Sequence, residues 1–425
     1  MRQKSNLHMP QILPSNHIGT EAGSASQPFI QRGTPAYRRA SLALFAAGLA
    51  TFTILYCVQP LFPLFTAQFH VSPVMASLSL SLTTILLAIT LPIAGIVSDA
   101  IGRKSVMTIS LVVSAICCIL TALAPDFAVL LVIRATQGIV LAGVPAVAMA
   151  YLSEEVESMS LGFAMGLYIS GNTIGGLFGR IVVGMITDIS TWRIAIIVLG
   201  AVSLLAFFYF WRSLPSSRHF QRVSITPKHL LAGFGRQFRD PGIICLFLMG
   251  ALLMGGFVTL YNYLGYRLMA HPYDLSESIV GWIFIVYLVG TFSSSWMGRK
   301  ADTVGRRKIL FISVGIMLMG VLITLTHSIV LIILGVAVFT FGFFGGHSTA
   351  SSWVGRRAVS GRGQASSLYL FFYYVGSSLG GSAGGLFWSH FQWAGIVAMI
   401  SGLLVLALIV AGVLSGIPPM TKPRQ

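Results

Sequence analysis

The sequence predicts an all-α membrane protein, with twelve transmembrane helices in two six-helix bundles related by pseudo-two-fold symmetry. Three observations carry this expectation. Of 425 residues, 55% are hydrophobic and only 9% charged, where a soluble domain carries roughly a quarter charged residues. The apolar residues gather in runs of about 20, the length at which a helix crosses a bilayer. A charged turn also occurs twice, each time between two apolar runs. Gly95-Ile-Val-Ser-Asp99-Ala-Ile-Gly102-Arg103-Lys104 and Gly298-Arg-Lys-Ala-Asp302-Thr-Val-Gly305-Arg306-Arg307 share one order: Gly, three residues, Asp, two residues, Gly, two bases. Two copies at corresponding places argue a duplication.

Taken in order, residues 1–39 are polar and rich in Ser, Gln, Pro and Gly, without an apolar core for a signal peptide. They are expected to form a mostly disordered tail, with Arg38 and Arg39 anchoring the first span. The first bundle, 40–213, is expected to hold spans at 40–66, 74–97, 105–124, 127–151, 161–186 and 193–213. A basic linker with Pro215 and Pro227 follows at 214–240, a candidate for a short amphipathic helix. The second bundle, 241–416, is expected to hold spans at 241–268, 277–297, 309–326, 329–352, 364–388 and 393–416, before a tail at 417–425. Tyr56 matches Tyr261, Asp99 matches Asp302, Gly175 matches Gly380 and Trp192 matches Trp393, all at separations of 201 to 205 residues. Both halves start on the same side, so they are parallel repeats.

The net charge of +16 reports topology. Apart from Arg134, Arg180, Arg193 and Arg267, the Lys and Arg fall in or beside the two tails and the loops 98–105, 214–240, 298–308 and 355–363. This is the positive-inside pattern, and it predicts cytoplasmic termini and loops. Nucleic acid is therefore not expected as a partner. Cys57, Cys117, Cys118 and Cys245 lie in apolar segments without metal-ligand spacing, so neither a disulfide nor a metal site is expected. There is no P-loop, no paired-His motif and no clustered acid set, which argues against an enzyme and against any cofactor.

These features resemble the major facilitator superfamily. The resemblance rests on the 6+6 repeat, the basic central loop, the duplicated Gly-x-x-x-Asp-x-x-Gly-Arg turn, and Leu130-x-x-x-Arg134-x-x-Gln137-Gly138, which is similar to that superfamily's arginine motif. Tyr56-Cys-Val-Gln-Pro60, Tyr151-Leu-Ser-Glu-Glu155, Gly166-Leu-Tyr-Ile-Ser-Gly-Asn-Thr-Ile-Gly175 and Gly363-Gln-Ala-Ser-Ser-Leu-Tyr369 look like the acriflavine-sensitivity (YnfM-type) group of bacterial inner-membrane proteins. The resemblance implies a multi-pass protein of the bacterial inner membrane that moves a small molecule by alternating access. The leading expectation is a monomeric, proton-coupled exporter. An importer or uniporter of a polar or anionic metabolite stays open, as does a receptor that senses without turnover.

The candidate residues form two sets. The first is a gate on the basic side. Gly95 and Asp99 share a helix face, Gly102 suits a positive φ, and Arg103 and Lys104 offer cations. Gly298, Asp302, Gly305, Arg306 and Arg307 repeat the set. The resemblance implies that Asp99 clasps the start of the eleventh span and Asp302 the start of the fifth, only while that side is shut. Glu154 and Glu155 end the fourth span where Arg356 and Arg357 end the tenth, which suggests pairs across the halves. The second set is a central site for substrate or proton coupling. Arg134 with Gln137, and Arg180, are charges or polar groups inside spans, where a cavity or a partner is required. Tyr56, Gln59, Asn172, Asn262, Tyr263, His347 and Tyr373 are polar or aromatic candidates. Trp282, Trp353 and Tyr374 are candidates for stacking. The stripes Gly171, Gly175, Gly179 and Gly376, Gly380, Gly384 suit close helix packing. Asn172 stands where many superfamily antiporters carry Pro. None of the eleven acids falls mid-span, so a central carboxylate relay is not available and an anionic or neutral polar substrate fits best.

Overall fold

The computed structural model describes residues 29–220, 234–358 and 361–418. Residues 221–233 of the linker, most of the first tail and most of the second lie outside them, and of the amphipathic helix expected in the linker a short helical stretch at 234–237 falls among the described residues. Ten described helices are long and apolar enough to cross a membrane: Pro35–Phe69, Pro73–Ile101, Arg103–Ala122, Phe127–Glu155, Ser158–Ile189, Trp192–Ser213, Pro241–Met269, Glu277–Thr303, Ile329–Arg357 and Gly363–Gly416. The last belongs to a continuous run, Arg362–Gly416, of 55 residues with non-helical φ/ψ at Gln392. At 1.5 Å per residue such a run is far too long for one crossing, and Gln392 divides it into two. Arg306–Ile323, 18 residues with bases at its start, completes the set. These are spans 1 to 12 in chain order, with span 9 at Arg306–Ile323 and spans 11 and 12 meeting at Gln392.

The helices outrun the apolar stretches because polar caps extend them. Thr34, Ser72, Asp126, Thr191, Asp240 and Ser276 each accept a backbone N–H in the first turn of spans 1, 2, 4, 6, 7 and 8, satisfying donors that would otherwise be orphaned. Span 1 breaks at Cys57–Val58, just ahead of Pro60, and resumes through a 3-10 turn at Gln59–Leu61. Proline supplies no N–H there. Gly102 and Gly305 turn spans 2 and 8 into spans 3 and 9 with φ of +99° and +101°, a region that a side chain would disfavour.

Within each half the glycine stripes set how closely helices approach. A Cβ at Gly171, Gly175 or Gly179 of span 5 would lie 2.4, 2.1 and 2.7 Å from the carbonyl oxygens of Phe45, Leu49 and Thr53 of span 1. Span 11 repeats this against span 7, with a Cβ at Gly376 2.0 Å from Ala251 O and one at Gly380 2.7 Å from Gly255 O. Thr53 Oγ1 donates to Gly175 O at 2.9 Å across the first contact. Lys104 Nζ donates to Leu214 O and Arg307 Nη2 to Ile417 O, each tying the start of one span to the chain just past the last span of its half.

The halves meet along two related pairs, span 2 with span 11 and span 5 with span 8. Call the end bearing the charged turns the basic face, and the end bearing residues 70–72, 190–191 and 270–276 the opposite face. Among the described residues, the hydrogen bonds between halves run from mid-depth to the opposite face. They are Thr84 Oγ1 with Ser378 Oγ (2.8 Å), Gln59 Nε2 to Asn262 Oδ1 (2.7 Å), Thr66 Oγ1 with Tyr266 OH (2.7 Å), Tyr266 OH to Phe62 O (3.0 Å) and Ser278 N to Asp188 Oδ2 (3.0 Å). Backbones also touch there: a Cβ at Gly184 would be 2.5 Å from Glu277 O, and one at Gly281 2.9 Å from Arg180 O. The opposite face is sealed.

Replacing Gly175 by Leu pushes a side chain into the Leu49 carbonyl. It is expected to destabilise the first bundle by about 1–3 kcal/mol, read as a lower thermal midpoint of the detergent-solubilised protein. Gly166→Ala, with nothing within 4 Å of the new Cβ, is expected to leave the midpoint unchanged. Equal midpoints for both variants would refute the packing role.

Candidate functional site

A cavity of about 480 Å³ lies between the halves, lined from the first half by Phe52, Tyr56, Asn172, Gly176 and Arg180 and from the second by Phe257, Tyr287, Phe343, His347 and Tyr373, among others. Five of the ten central candidates therefore line it, Tyr56, Asn172, Arg180, His347 and Tyr373, as does the stacking candidate Tyr374. No Asp or Glu does so among the described residues.

Arg180 is its charged group, 2% exposed. Nε donates to Gln59 Oε1 at 2.8 Å and Nη1 to Gly176 O at 2.7 Å. Three rings surround the guanidinium, with centroids at 4.2 Å (Tyr56), 4.6 Å (Phe284) and 5.0 Å (Tyr287). Gln59 passes the contact on: its amide donates to Asn262 of the other half. Gln59 and Asn262 thus form a bridge behind the cavity rather than part of its lining. Asn262 keeps a buried Nδ2, and Asn172 a buried Oδ1, without a partner. Opposite Arg180, His347 Nδ1 lies 2.9 Å from Tyr369 OH, with its ring beside Phe343 and Tyr373.

Arg134 sits elsewhere. Its guanidinium is consumed inside the first bundle by Ser79 O (2.8 Å), Ile54 O (3.0 Å), Leu55 O (2.8 Å) and Gln137 Oε1. Gln137 in turn donates to Ser114 O. Ile54 and Leu55 carry the carbonyls at the break in span 1, so Arg134 is a cation at a helix C-terminus. Of the cavity or partner that a charge inside a span requires, Arg134 finds the partner, in backbone carbonyls and Gln137, and it does not line the cavity. Arg193 and Arg267 follow the same rule, donating to Ala124 O and to Thr324 O and Thr326 O near the ends of spans 3 and 9. Tyr263 hydrogen-bonds Gly381 O, and Trp282 is exposed on the outer surface; neither lines the cavity. Sequence reasoning passed over Phe284, Tyr287, Phe343 and the serines Ser351 and Ser352. The spacing Phe343-x-x-x-His347-x-x-x-Ser351, one helix face of span 10, was the signal that could have found part of the wall.

The charged groups of the basic face pair within their own halves. Arg103 binds Asp99 (2.5 Å) and Glu154 (2.6 Å), while Asp302 binds Arg306 (2.5 Å) and Arg356 (3.3 Å). Each turn carries an acid and a base, so it accepts an acidic end of span 4 or a basic end of span 10 with equal ease. Glu155 accepts N–H from Arg218 (2.7 Å) and His219 (2.9 Å). Arg357 forks onto Asp240 at 2.7 and 2.9 Å, both side chains buried. The expected pairs of Glu154 and Glu155 with Arg356 and Arg357 do not form, because each charge meets a nearer partner at its own span end. Among the described residues, no ion pair joins Asp99 or Asp302 to the other half, and a Cβ at Gly95 or Gly298 would find nothing within 4 Å. The cavity is therefore sealed at the opposite face, and no contact of these turns closes it at the basic face.

Arg134→Met strips the Ile54, Leu55 and Ser79 carbonyls of their donor in a dry interior. It is expected to destabilise the protein by at least about 2 kcal/mol without weakening ligand binding in whatever protein folds. A lost affinity at an unchanged thermal midpoint would return Arg134 to the binding site.

Comparison with known proteins agrees with this architecture. The sequence profile of the Major Facilitator Superfamily matches residues 44–270 and 259–425. The chain is 51% identical to the uncharacterized MFS-type transporter YybF of Bacillus subtilis (strain 168), over 93% of this chain and 98% of that one. It is 49% identical to the inner membrane transport protein YnfM of Escherichia coli (strain K12), over 92% and 94%. Among solved structures, a bacterial homolog of the human lysosomal transporter Spinster, inward-facing and occupied, superposes with a TM-score of 0.73 at 17% identity, over 92% of this chain and all of that one. A mutant of the nucleoside transporter NupG gives 0.74 at 16%, over 88% and 99%. The chain is a multi-pass membrane transporter that belongs to the major facilitator superfamily.

Proposed function

We propose that this chain exports a small molecule across the bacterial inner membrane by alternating access, in exchange for protons. The observation that carries the reading is the cavity itself, which lies between two pseudo-symmetric halves and is sealed by direct contacts at one end only. Two bundles that meet along the span 2–span 11 and span 5–span 8 contacts can rock about them, opening one end as the other shuts. The excess of Lys and Arg on the basic face supports a cytoplasmic location for it. The arrangement is then the loading state of an exporter, with its site accessible from inside.

Proton exchange draws support from the lining. Acids are missing there among the described residues, and His347 is the lining side chain with an imidazole nitrogen that can take up and release a proton. Its place beside Tyr369, Phe343 and Tyr373, on the cavity wall supplied by the second half, supports a proton carrier in the half that does not hold Arg180. The charged turns supply the gate: in the shut state Asp99 and Asp302 exchange their own-half partners for the helix starts of the other half.

Counterflow in proteoliposomes, with a panel of dyes, sugars, amino acids and organic anions, tests this reading. Exchange of at least one compound, accelerated by a pH gradient, is expected. Asp99→Asn is expected to slow that exchange several-fold with membrane insertion intact. Exchange indifferent to pH would remove the proton, wild-type turnover in the variant would remove the gate, and no exchange at all would leave a receptor.

A further inference from the structure

Resting on the transport reading above, we infer that the substrate is a small organic monoanion: a flat body bearing one carboxylate, with that carboxylate bound by Arg180. Four arginines lie off the basic face, and three are spent on backbone carbonyls at helix breaks and ends. Arg180 is used differently. Among the described residues, two hydrogen bonds engage its five N–H donors and no carboxylate pairs with it. A buried charge without a counter-ion is unfavourable. Rings of Tyr56, Phe284 and Tyr287 offset part of that cost through cation–π attraction. The remaining donors fit a carboxylate, which accepts two parallel N–H bonds from one guanidinium.

The walls select the rest of the molecule. With one cation and no acid in the described lining, one negative charge is neutralised and a second would stay unpaired in a dry cavity. An organic cation meets Arg180 and no counter-charge. Tyr56, Phe257, Tyr287, Phe343 and Tyr373 present ring surface to a flat body. About 480 Å³ is within the range of small-molecule pockets. His347 and Ser351, one helical turn or about 6 Å apart along span 10, offer polar atoms to a substituent at the end away from the carboxylate.

The test uses the full chain in detergent with para-hydroxybenzoate, its amide, the amine tyramine and the dianion terephthalate as probes, followed by counterflow of the same compounds. The acid is expected to bind at least about tenfold more tightly than its amide, one charge-assisted bond's worth, with terephthalate weaker and tyramine not competing. Arg180→Gln is expected to erase the difference between acid and amide. The inference is overturned by amide or amine binding as tightly as the acid, by no binding at millimolar concentration, or by an acid preference that survives Arg180→Gln. The wild-type ranking needs no variant, so poor folding of Arg180→Gln leaves the test standing. Acid binding without exchange would refute turnover and keep the anion site; exchange of tyramine alone would keep transport and refute the anion site.

Discussion

A backbone carbonyl released inside a bilayer has no water to turn to, and much of this molecule is arranged around carbonyls that helix breaks and ends set free. Pro60 interrupts span 1, and Arg134 takes the carbonyls of Ile54 and Leu55. Spans 3 and 9 end under Arg193 and Arg267. Lys104 and Arg307 hold the carbonyls just past spans 6 and 12. Cations therefore serve as helix caps throughout, and topogenic charge doubles as structural glue. The break in span 1 is worth an arginine because it turns Tyr56 and Gln59 toward the interior, where they frame Arg180.

Much of the fold was legible because the bilayer imposes it. Long apolar runs, alternating basic loops and a repeated turn leave few architectures open, and the glycine stripes marked spans 5 and 11 for close packing without naming their partners. The site was legible only in part. Sequence shows that Arg134 and Arg180 need partners inside the membrane. Whether a partner is backbone or ligand depends on the path of span 1, which periodicity does not reveal. Arg180 lies eight residues from Asp188, near enough to the opposite face to suggest a snorkelling side chain, yet it turns inward because Gln59 and three rings receive it. Its ring cage was hidden by abundance: among 28 Phe and 13 Tyr, no spacing singles out Phe284 or Tyr287. Charge pairing failed for another reason. Opposite charges at corresponding span ends suggested contact across the halves, but the duplicated turn already offers both signs within each half.

The cavity and the seal are one network. Gln59 accepts from Arg180 with its carbonyl and donates to Asn262 with its amide. Whatever draws the guanidinium toward the cavity centre pulls on one of the bonds that join the halves. A ligand can therefore weaken the sealed face without touching it, and the coupling needs no relay longer than one side chain. That economy suits a protein in which no acid lies mid-span.

The ion-paired groups at the two turns differ in sign: Asp99, Arg103 and Glu154 sum to one net negative charge and Asp302, Arg306 and Arg356 to one net positive charge, while Lys104 and Arg307 are engaged by the carbonyls of Leu214 and Ile417. Screening limits what they feel of each other to about 8 Å at physiological ionic strength. Farther apart than that, they are electrically silent to each other. Only in the last ångströms of an approach would attraction rise, so under the gate reading the pair would behave as a catch rather than a spring. Salt weakens the catch without altering any bond within either half.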